Sequence, residues 1–472
     1  MTENVTKLLG RWAAEWKGDA SEGARETARM AFFDTIACMV AGAGDEAPAA
    51  LRRGIAGWGD GQATVMGSRR KAPAPWAALA NGTAAHVLDY DDGIHIGPAH
   101  VSAVLVPALL ALAEEKGAAG RSLIDAYIVG VEILARVAEG VGRSHYEAGW
   151  HGTSTLGTIG AAAACGRLLA LDADAMASAI GLSVSMSAGA KAQFGSQAKP
   201  FHAGMSAQNG IIAATLANAG LVSGADPLGH RLGFRKLYGG PDTPGWDDLA
   251  AKLANPLAID LHGIGTKINP CCRATHRSID GLLDLMAQHR FTEKDVAGIE
   301  TVVAFSSAHN LMYPDPQDEM QARFSMPYVL SVVLHRAARP VLSDFTPAAV
   351  VRPEIRRLLP LVKMEGMQPQ KTDGQPTKRA PCLTRVTLKD GRVLETRVQH
   401  ALGTTHNPMK ADQFAAKFRD CTLGFLPEAD IAAAESILRQ FDKADIRQLM
   451  SHLRFDATAD RGERFARRAA AE

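Results

Sequence analysis

The chain has 472 residues, enough for two or three domains and a large core. Lys plus Arg number 51 and Asp plus Glu 50, so a net charge of +1 speaks against nucleic-acid or membrane-surface binding driven by bulk charge. At 47% hydrophobic and 21% charged residues, the composition is that of a soluble globular protein.

The N-terminal stretch "MTENVTKLLGRWAAEW" carries Glu3 and lacks an apolar h-region, so it reads as an amphipathic helix and not as a signal peptide. The longest apolar run, "SAVLVPALLALA" from Ser102 to Ala113, falls short of the roughly 20 residues a bilayer span needs and is broken by Pro107. The expectation is a cytoplasmic protein. The six cysteines then read as reduced thiols. Cys271 and Cys272 are adjacent and no C-x-x-C occurs, which argues against a zinc site or an iron–sulfur cluster.

Helix follows helix through the first half. Ser122 is placed to cap "LIDAYIVGVEILARVAEGVG", whose surface is mostly apolar. "APWAALANGTAAHVLDY", "LGTIGAAAACGRLLALD", "ADAMASAIGLSVSMSAG" and "AGMSAQNGIIAATLANAG" are rich in Ala, Gly and Ser, which lets helix backbones approach closely. Beyond about Leu261 the pattern changes. "GIETVVAFSS" contains a strand, and "PCLTRVTLKDGRVLETRVQHA" alternates on both sides of Asp390-Gly391, the signal of a hairpin with a type I′ turn. "THRSIDGLLDLMAQH" and "MQARFSMPYVLSVVLHRAA" read as helices between them. Helix returns in "ADQFAAKFRDCTLGFLPEADIAAAESILRQF", and the basic "RGERFARRAAAE" reads as a frayed end. The expected fold is mainly α: a large all-helical domain of residues 1–265 plus 403–472, with a smaller α+β domain, 266–402, inserted as a lid. A cleft between two such domains is a common ligand site.

Titratable groups concentrate in "HVLDYDDGIHIGPAH", where Asp89, Asp91 and Asp92 are flanked by His86, His95 and His100. The EF-hand reading fails, because Gly93 comes fifth and His100 twelfth. A His/Asp metal site, a catalytic loop and a solvated turn stay open. In "GWHGTSTLG", His151 and the hydroxyls of Thr153 and Ser154 sit at a helix start, where they could bind a carboxylate or merely cap. In "KPFHAGMSAQNG", Lys199 could neutralise a carboxylate, or be a surface lysine; His202 follows it. His276 in "INPCCRATHRSID", and Arg323, Ser325 and Tyr328 in "RFSMPYVLSVV", fall in the inserted domain. A buried tyrosine ordinarily just needs a hydrogen-bond partner.

These five stretches, in this order, resemble the MmgE/PrpD family, which includes 2-methylcitrate dehydratase. The resemblance rests on Ala85–Gly93, His100-Val101-Ser102, Val106-Pro107-Ala108, Gly149–Gly157, Lys199–Gly210 and Pro270–Asp280, and covers nearly the whole chain. Gly93 stands where the family has a threonine, and Val101 where it has a proline. The segment around "HYEAGWHGTSTLG" is more similar to the iminodisuccinate epimerase branch. The resemblance implies a homodimeric enzyme without metal or other cofactor, acting on a small di- or tricarboxylate by proton transfer next to a carboxylate. Asp89, His100, His151 and Lys199 would be catalytic, and His276, Tyr328, Thr153 and Asp92 would bind substrate. A carboxylate lyase, dehydratase or decarboxylase, is the first expectation; an epimerase of an iminodisuccinate-like dicarboxylate and a non-catalytic carboxylate-binding homologue are the alternatives.

Overall fold

The computed structural model describes residues 4–240, 243–367 and 381–457, and within them the chain is mostly helical with a small sheet. The basic stretch 461–472 lies outside the described residues. Two compact units form. One runs up to Gln193, resumes over Gln197–Thr266 and again from Asp412; the other takes Phe194–Ser196 and Lys267–Ala411.

The larger unit is built from helices α1 (Val5–Glu15), α2 (Glu22–Gly42), α3 (Glu46–Ile55), α4 (Ala74–His86), α5 (Ser102–Lys116), α6 (Gly120–Glu147), α7 (Gly152–Leu168), α8 (Ala173–Val184) and α9 (Ala198–Asn218). Further helices at Ala411–Thr422 and Glu428–Arg439 come from the end of the chain. It is not purely helical: β1 (Ala63–Thr64) and β2 (Lys71–Ala72) form a short antiparallel pair. Helix α5 is buried along almost its whole length, so its apolar run fills the core, and no described helix is long and apolar enough to cross a membrane. Helix α6 begins earlier than expected, after Ala119, which puts Ser122 inside the first turn and not at the cap.

Small residues determine how this unit packs. A Cβ on Gly204 of α9 would lie 2.1 Å from the Leu79 carbonyl of α4, and one on Gly82 of α4 would lie 2.8 Å from the Gly204 Cα. Only glycine at both positions lets α4 and α9 touch backbone to backbone, closer than side-chain packing allows. That contact sets the end of α4, which carries His86, beside the start of α9, which carries Lys199 and His202.

The smaller unit has a four-stranded sheet in the order β4-β3-β5-β6: β3 (Val296–Ala304), β4 (Val362–Met367), β5 (Cys382–Leu388) and β6 (Val393–Val398). β3 pairs parallel with β4 and antiparallel with β5, and β5 pairs antiparallel with β6. Along β5 the buried positions alternate, Cys382, Thr384, Val386 and Leu388, as a sheet with one covered face requires. The helix Arg273–His289 covers that face, and its Ile279, Leu282 and Leu285 join the core.

Two local expectations are corrected. The β5–β6 connection is a three-residue loop, not a type I′ turn. Gly391 N donates to the Leu388 carbonyl at 3.0 Å, Leu388 N donates to Arg392 O at 2.9 Å, and only Gly391 takes positive φ (90°). The helix expected over "MQARFSMPYVLSVVLHRAA" is broken into Glu319–Ala322 and Met326–Arg336, because Ser325 Oγ caps the second helix by accepting from Tyr328 N at 3.2 Å.

Candidate active site

The loop after α4 crosses the larger unit's interior. Asp89 has φ of +50°, a left-handed conformation that asparagine and aspartate tolerate better than most residues. It is 3% exposed, and its Oδ1 lies 2.5 Å from the Lys199 ammonium, itself 3% exposed. Lys199 is therefore no surface lysine. A buried pair of this kind ties the loop to the first turn of α9.

Asp91 is fully buried and sits between two imidazoles. Its Oδ2 is 2.9 Å from His86 Nδ1 and 3.0 Å from His100 Nδ1. Burial alone would raise this carboxyl, but the two histidines hold it well below the usual carboxylate range. Asp91 thus stays an anion that accepts from His86 Nδ1–H, which leaves Nε2 as that ring's basic nitrogen, and it stands at ion-pair distance from His100 Nδ1. His86 Nε2 is buried with no hydrogen-bond partner among the described residues. The His86 and His100 rings are 4.3 Å apart between centroids.

His151 precedes α7 and is fixed through its backbone: its N donates to Gly189 O at 3.0 Å, and its carbonyl accepts from Ser154 N at 2.8 Å. Its Nδ1 lies 3.1 Å from His202 Nδ1, so one of the two nitrogens carries a proton shared between them. The His151 ring stands 6.0 Å from His86 and 5.3 Å from His202. Burial pushes His151 well below an ordinary imidazole, and the neighbouring His86 and Lys199 push it further. His86 is driven down to about 3, first by burial. His202 is lowered by burial and by Lys199.

Asp89, His100, His151 and Lys199 thus belong to one buried cluster. Thr153 and Asp92 make hydrogen bonds beside it. Thr153 Oγ1 accepts the His100 backbone N–H at 3.0 Å, so it is not the helix cap. Asp92 accepts from Ser102 N at 3.3 Å and from Ser102 Oγ at the start of α5, while Ser102 Oγ is 2.6 Å from the Tyr127 hydroxyl. Burial pushes the Asp92 carboxyl up to about 7. Sequence reasoning assigned no role to His86, Asp91 or His202. All three lie inside quoted motifs, but only tertiary contacts distinguish them from their neighbours.

In the smaller unit, His276 is buried and its Nε2 donates to Cys271 O at 3.2 Å. Burial, then Arg273 and Lys267, hold it well below an ordinary imidazole. Among the described residues its Nδ1 has no hydrogen-bond partner, nor do the side-chain N and O of the buried Asn269. Lys267, at 1% exposure, was not singled out from sequence. Tyr328 is fully buried, donates its hydroxyl to Asp344 O at 2.5 Å and packs against Phe345.

His86, Asp89, Asp91 and His100 also offer four potential metal-ligand atoms within 4.8 Å of one another. These carboxylates have partners other than a cation: Asp89 pairs with an ammonium, and Asp91 lies against two imidazoles. Adding a dication beside Lys199 would place like charges in a dry pocket.

Two sequence profiles match the chain, the MmgE/PrpD N-terminal domain over residues 7–247 and the MmgE/PrpD C-terminal domain over residues 270–443. The chain belongs to the MmgE/PrpD family. Curated members similar to it include cis-aconitate decarboxylase of Homo sapiens, 29% identical over 74% of this chain and 72% of the relative. That of Mus musculus is 30% identical over 74% and 71%. That of Aspergillus terreus is 25% identical over 95% and 96%. As a member of the MmgE/PrpD family, the chain carries its motifs on the buried faces of α4, α7 and α9 and on the loop after α4.

These depressed histidines have a consequence for stability. In the unfolded chain an imidazole protonates near 6.5. His86, His145, His151, His202 and His276 all titrate lower when folded, each first because of burial. Below about pH 6.5 the unfolded state therefore binds more protons, and stability falls as pH falls. Asp92 acts oppositely, since its raised carboxyl protonates in the folded state first. Five groups pull toward loss of stability and one toward gain, so the net effect of these shifts is a loss as pH falls. The melting temperature is expected to drop between pH 7 and pH 5.5, and Asp92→Asn should steepen the drop. A melting temperature that is flat or rises over that interval contradicts this account.

Proposed function

We propose that the protein is a carboxylate lyase, and specifically a decarboxylase of a small unsaturated tricarboxylate of the cis-aconitate type. The observation that carries this reading is the buried Asp89–Lys199 pair set beside His86, His100, His151 and His202. The names of the curated relatives support the choice of reaction.

The chemistry follows from the charges. A substrate carboxylate approaching Lys199 gains Coulomb energy in a site largely without water. Heterolysis of a C–CO2 bond releases carbon dioxide and leaves an electron pair on carbon, delocalised into the adjacent unsaturated carboxylate. A cationic neighbour stabilises that developing charge. One proton delivered to carbon then completes the product. In the resting site His151 is neutral, but a bound polyanion opposes the effect of burial and raises it. The His151–His202 pair would then take up a proton with the substrate and return it to carbon. Asp91 orients His100 as the second acid/base group. The smaller unit is proposed as a lid, with His276 and Tyr328 as its proposed substrate contacts. The homodimer implied by the family likeness and the cytoplasmic location read from the sequence belong to the same proposal, and light scattering reads the former.

An epimerase reading is favoured by one feature. His100–Asp91 and His151–His202 are two separately partnered imidazole systems, as exchange of a proton between two faces of a carbon requires.

The test is to incubate the purified chain in heavy water with cis-aconitate, citrate-type acids and aspartate-derived dicarboxylates, with a chelator present. Carbon dioxide release with one deuterium incorporated supports the decarboxylase. Loss of water points to a dehydratase, and deuterium at carbon without carbon loss to the epimerase. No turnover and no exchange with any of these acids leaves only the non-catalytic carboxylate-binding reading. Activity that disappears with the chelator refutes metal independence.

A further inference from the structure

Lys417 lies on the helix Ala411–Thr422, more than 300 residues away in sequence from the loop it touches. It is 4% exposed. Its ammonium is held by both of the segments it faces. It pairs with Asp34 Oδ1 on α2 at 2.7 Å, donates to the Tyr90 carbonyl at 2.7 Å, and stands 3.9 Å above the Tyr90 ring centroid. Tyr90 is the residue between Asp89 and Asp91.

A buried ion pair is a weak reason for a lysine to be kept, because well-packed apolar residues usually stabilise a core as well or better. The carbonyl contact supplies another reason. An aliphatic side chain could replace the Asp34 pairing with a Leu or Met contact, but it could not donate to the Tyr90 carbonyl. That bond orients the peptide linking Tyr90 to Asp91, and the same ammonium also lies over the Tyr90 ring. Asp89 meanwhile sits in a left-handed conformation, which persists only when its surroundings over-determine it. Lys199 holds one end of this short segment and the two imidazoles on Asp91 hold the other. Lys417 grips its middle. The thiols of Cys38 and Cys421 also face Lys417, and burial pushes Cys38 up, so Asp34 is the anion that keeps the ammonium charged.

We propose that Lys417, charge-balanced by Asp34, is a positioning residue: it fixes the Asp89–Asp91 segment so that Lys199 and His100 are held in register for the reaction. This rests on the decarboxylase reading for its kinetic arm only.

The test pairs Lys417→Met with Asp34→Asn, so that no buried carboxylate is left unpaired. The folded double variant is expected to lose about tenfold or more in kcat with KM within about threefold, since an oriented group has been lost and not a substrate contact. The pH profile of kcat/KM should shift, because the surroundings of Asp91 and His100 change. Lys417→Arg, which keeps the charge and the donors, should restore most of kcat. Hydrogen exchange needs no substrate: in the double variant, deuterium uptake should rise in a peptide spanning residues 86–100 more than in peptides from α2 or from 411–422. If the Met variant does not fold, Lys417→Gln with Asp34→Asn replaces it. Its shorter amide can meet position 34 but not also the Tyr90 carbonyl, so the same losses are expected. Wild-type kcat and pH profile in either folded double variant overturn the proposal, as does exchange that rises equally in all three regions. If the wild-type chain turns over no carboxylate, the functional reading fails, and the exchange measurement still decides the positioning role.

Discussion

Lys199→Ala is expected to abolish turnover, by about a thousandfold or more in kcat/KM, because it removes the charge that meets the substrate carboxylate and the developing anion. The same change should also destabilise the fold. Asp89 would be left as a buried carboxylate without its ammonium, and breaking such a pair costs about 3 to 5 kcal/mol. The two effects separate in a second variant. Adding Asp89→Asn removes the uncompensated charge, so the double variant should recover most of the melting temperature and none of the activity. Binding of a non-reactive tricarboxylate, followed by calorimetry, should weaken in both. A Lys199→Ala protein that retains near-normal kcat would remove the central cation from the mechanism.

His151→Ala comes second, with an expected loss of about 100- to 10,000-fold in kcat, the usual range for a proton-transfer group. KM should change little, because the substrate carboxylates are assigned to Lys199. The stability cost should be modest: His151 is neutral when folded, so its removal leaves no buried charge. His202 loses its Nδ1 partner but has slight exposure and can turn to water. Proton uptake on binding a substrate analogue, measured by calorimetry in buffers of different ionisation enthalpy, should fall relative to the wild-type chain. Unchanged uptake and near-normal turnover would move the proton to His100. In that case Asp91→Asn becomes the decisive variant, because Asp91 is what orients that ring.

These two variants show where sequence reading stopped. The motifs along the chain gather Asp89, His100, His151 and Lys199 as candidates but cannot rank a lysine at a helix start against an ordinary surface lysine. Burial decides that, and burial of Lys199 follows from the α4–α9 contact through Gly82 and Gly204. Likewise Asp89, Asp91 and Asp92 are indistinguishable in "DYDD". In the fold they diverge completely: Asp89 meets an ammonium, Asp91 two imidazoles, and Asp92 the start of α5. Successive residues in a tight loop point in different directions, so a run of three carboxylates is three different environments. Lys417 carries no motif signal at all, since its partners Asp34 and Tyr90 lie hundreds of residues away.

What the sequence determined by itself is the material with a local or short-period cause. The Ala/Gly/Ser-rich helices, the strand before Phe305 and the hairpin around Asp390-Gly391 all follow from periodicity and turn chemistry within about 20 residues. The family follows from the order of five motifs along one chain. The tertiary structure alone decided which imidazole faces which carboxylate, which charges are dry, and which residue takes a left-handed turn to allow it. Those depend on contacts between segments far apart in the chain, where packing sets distances of a few ångströms that no spacing in the sequence encodes.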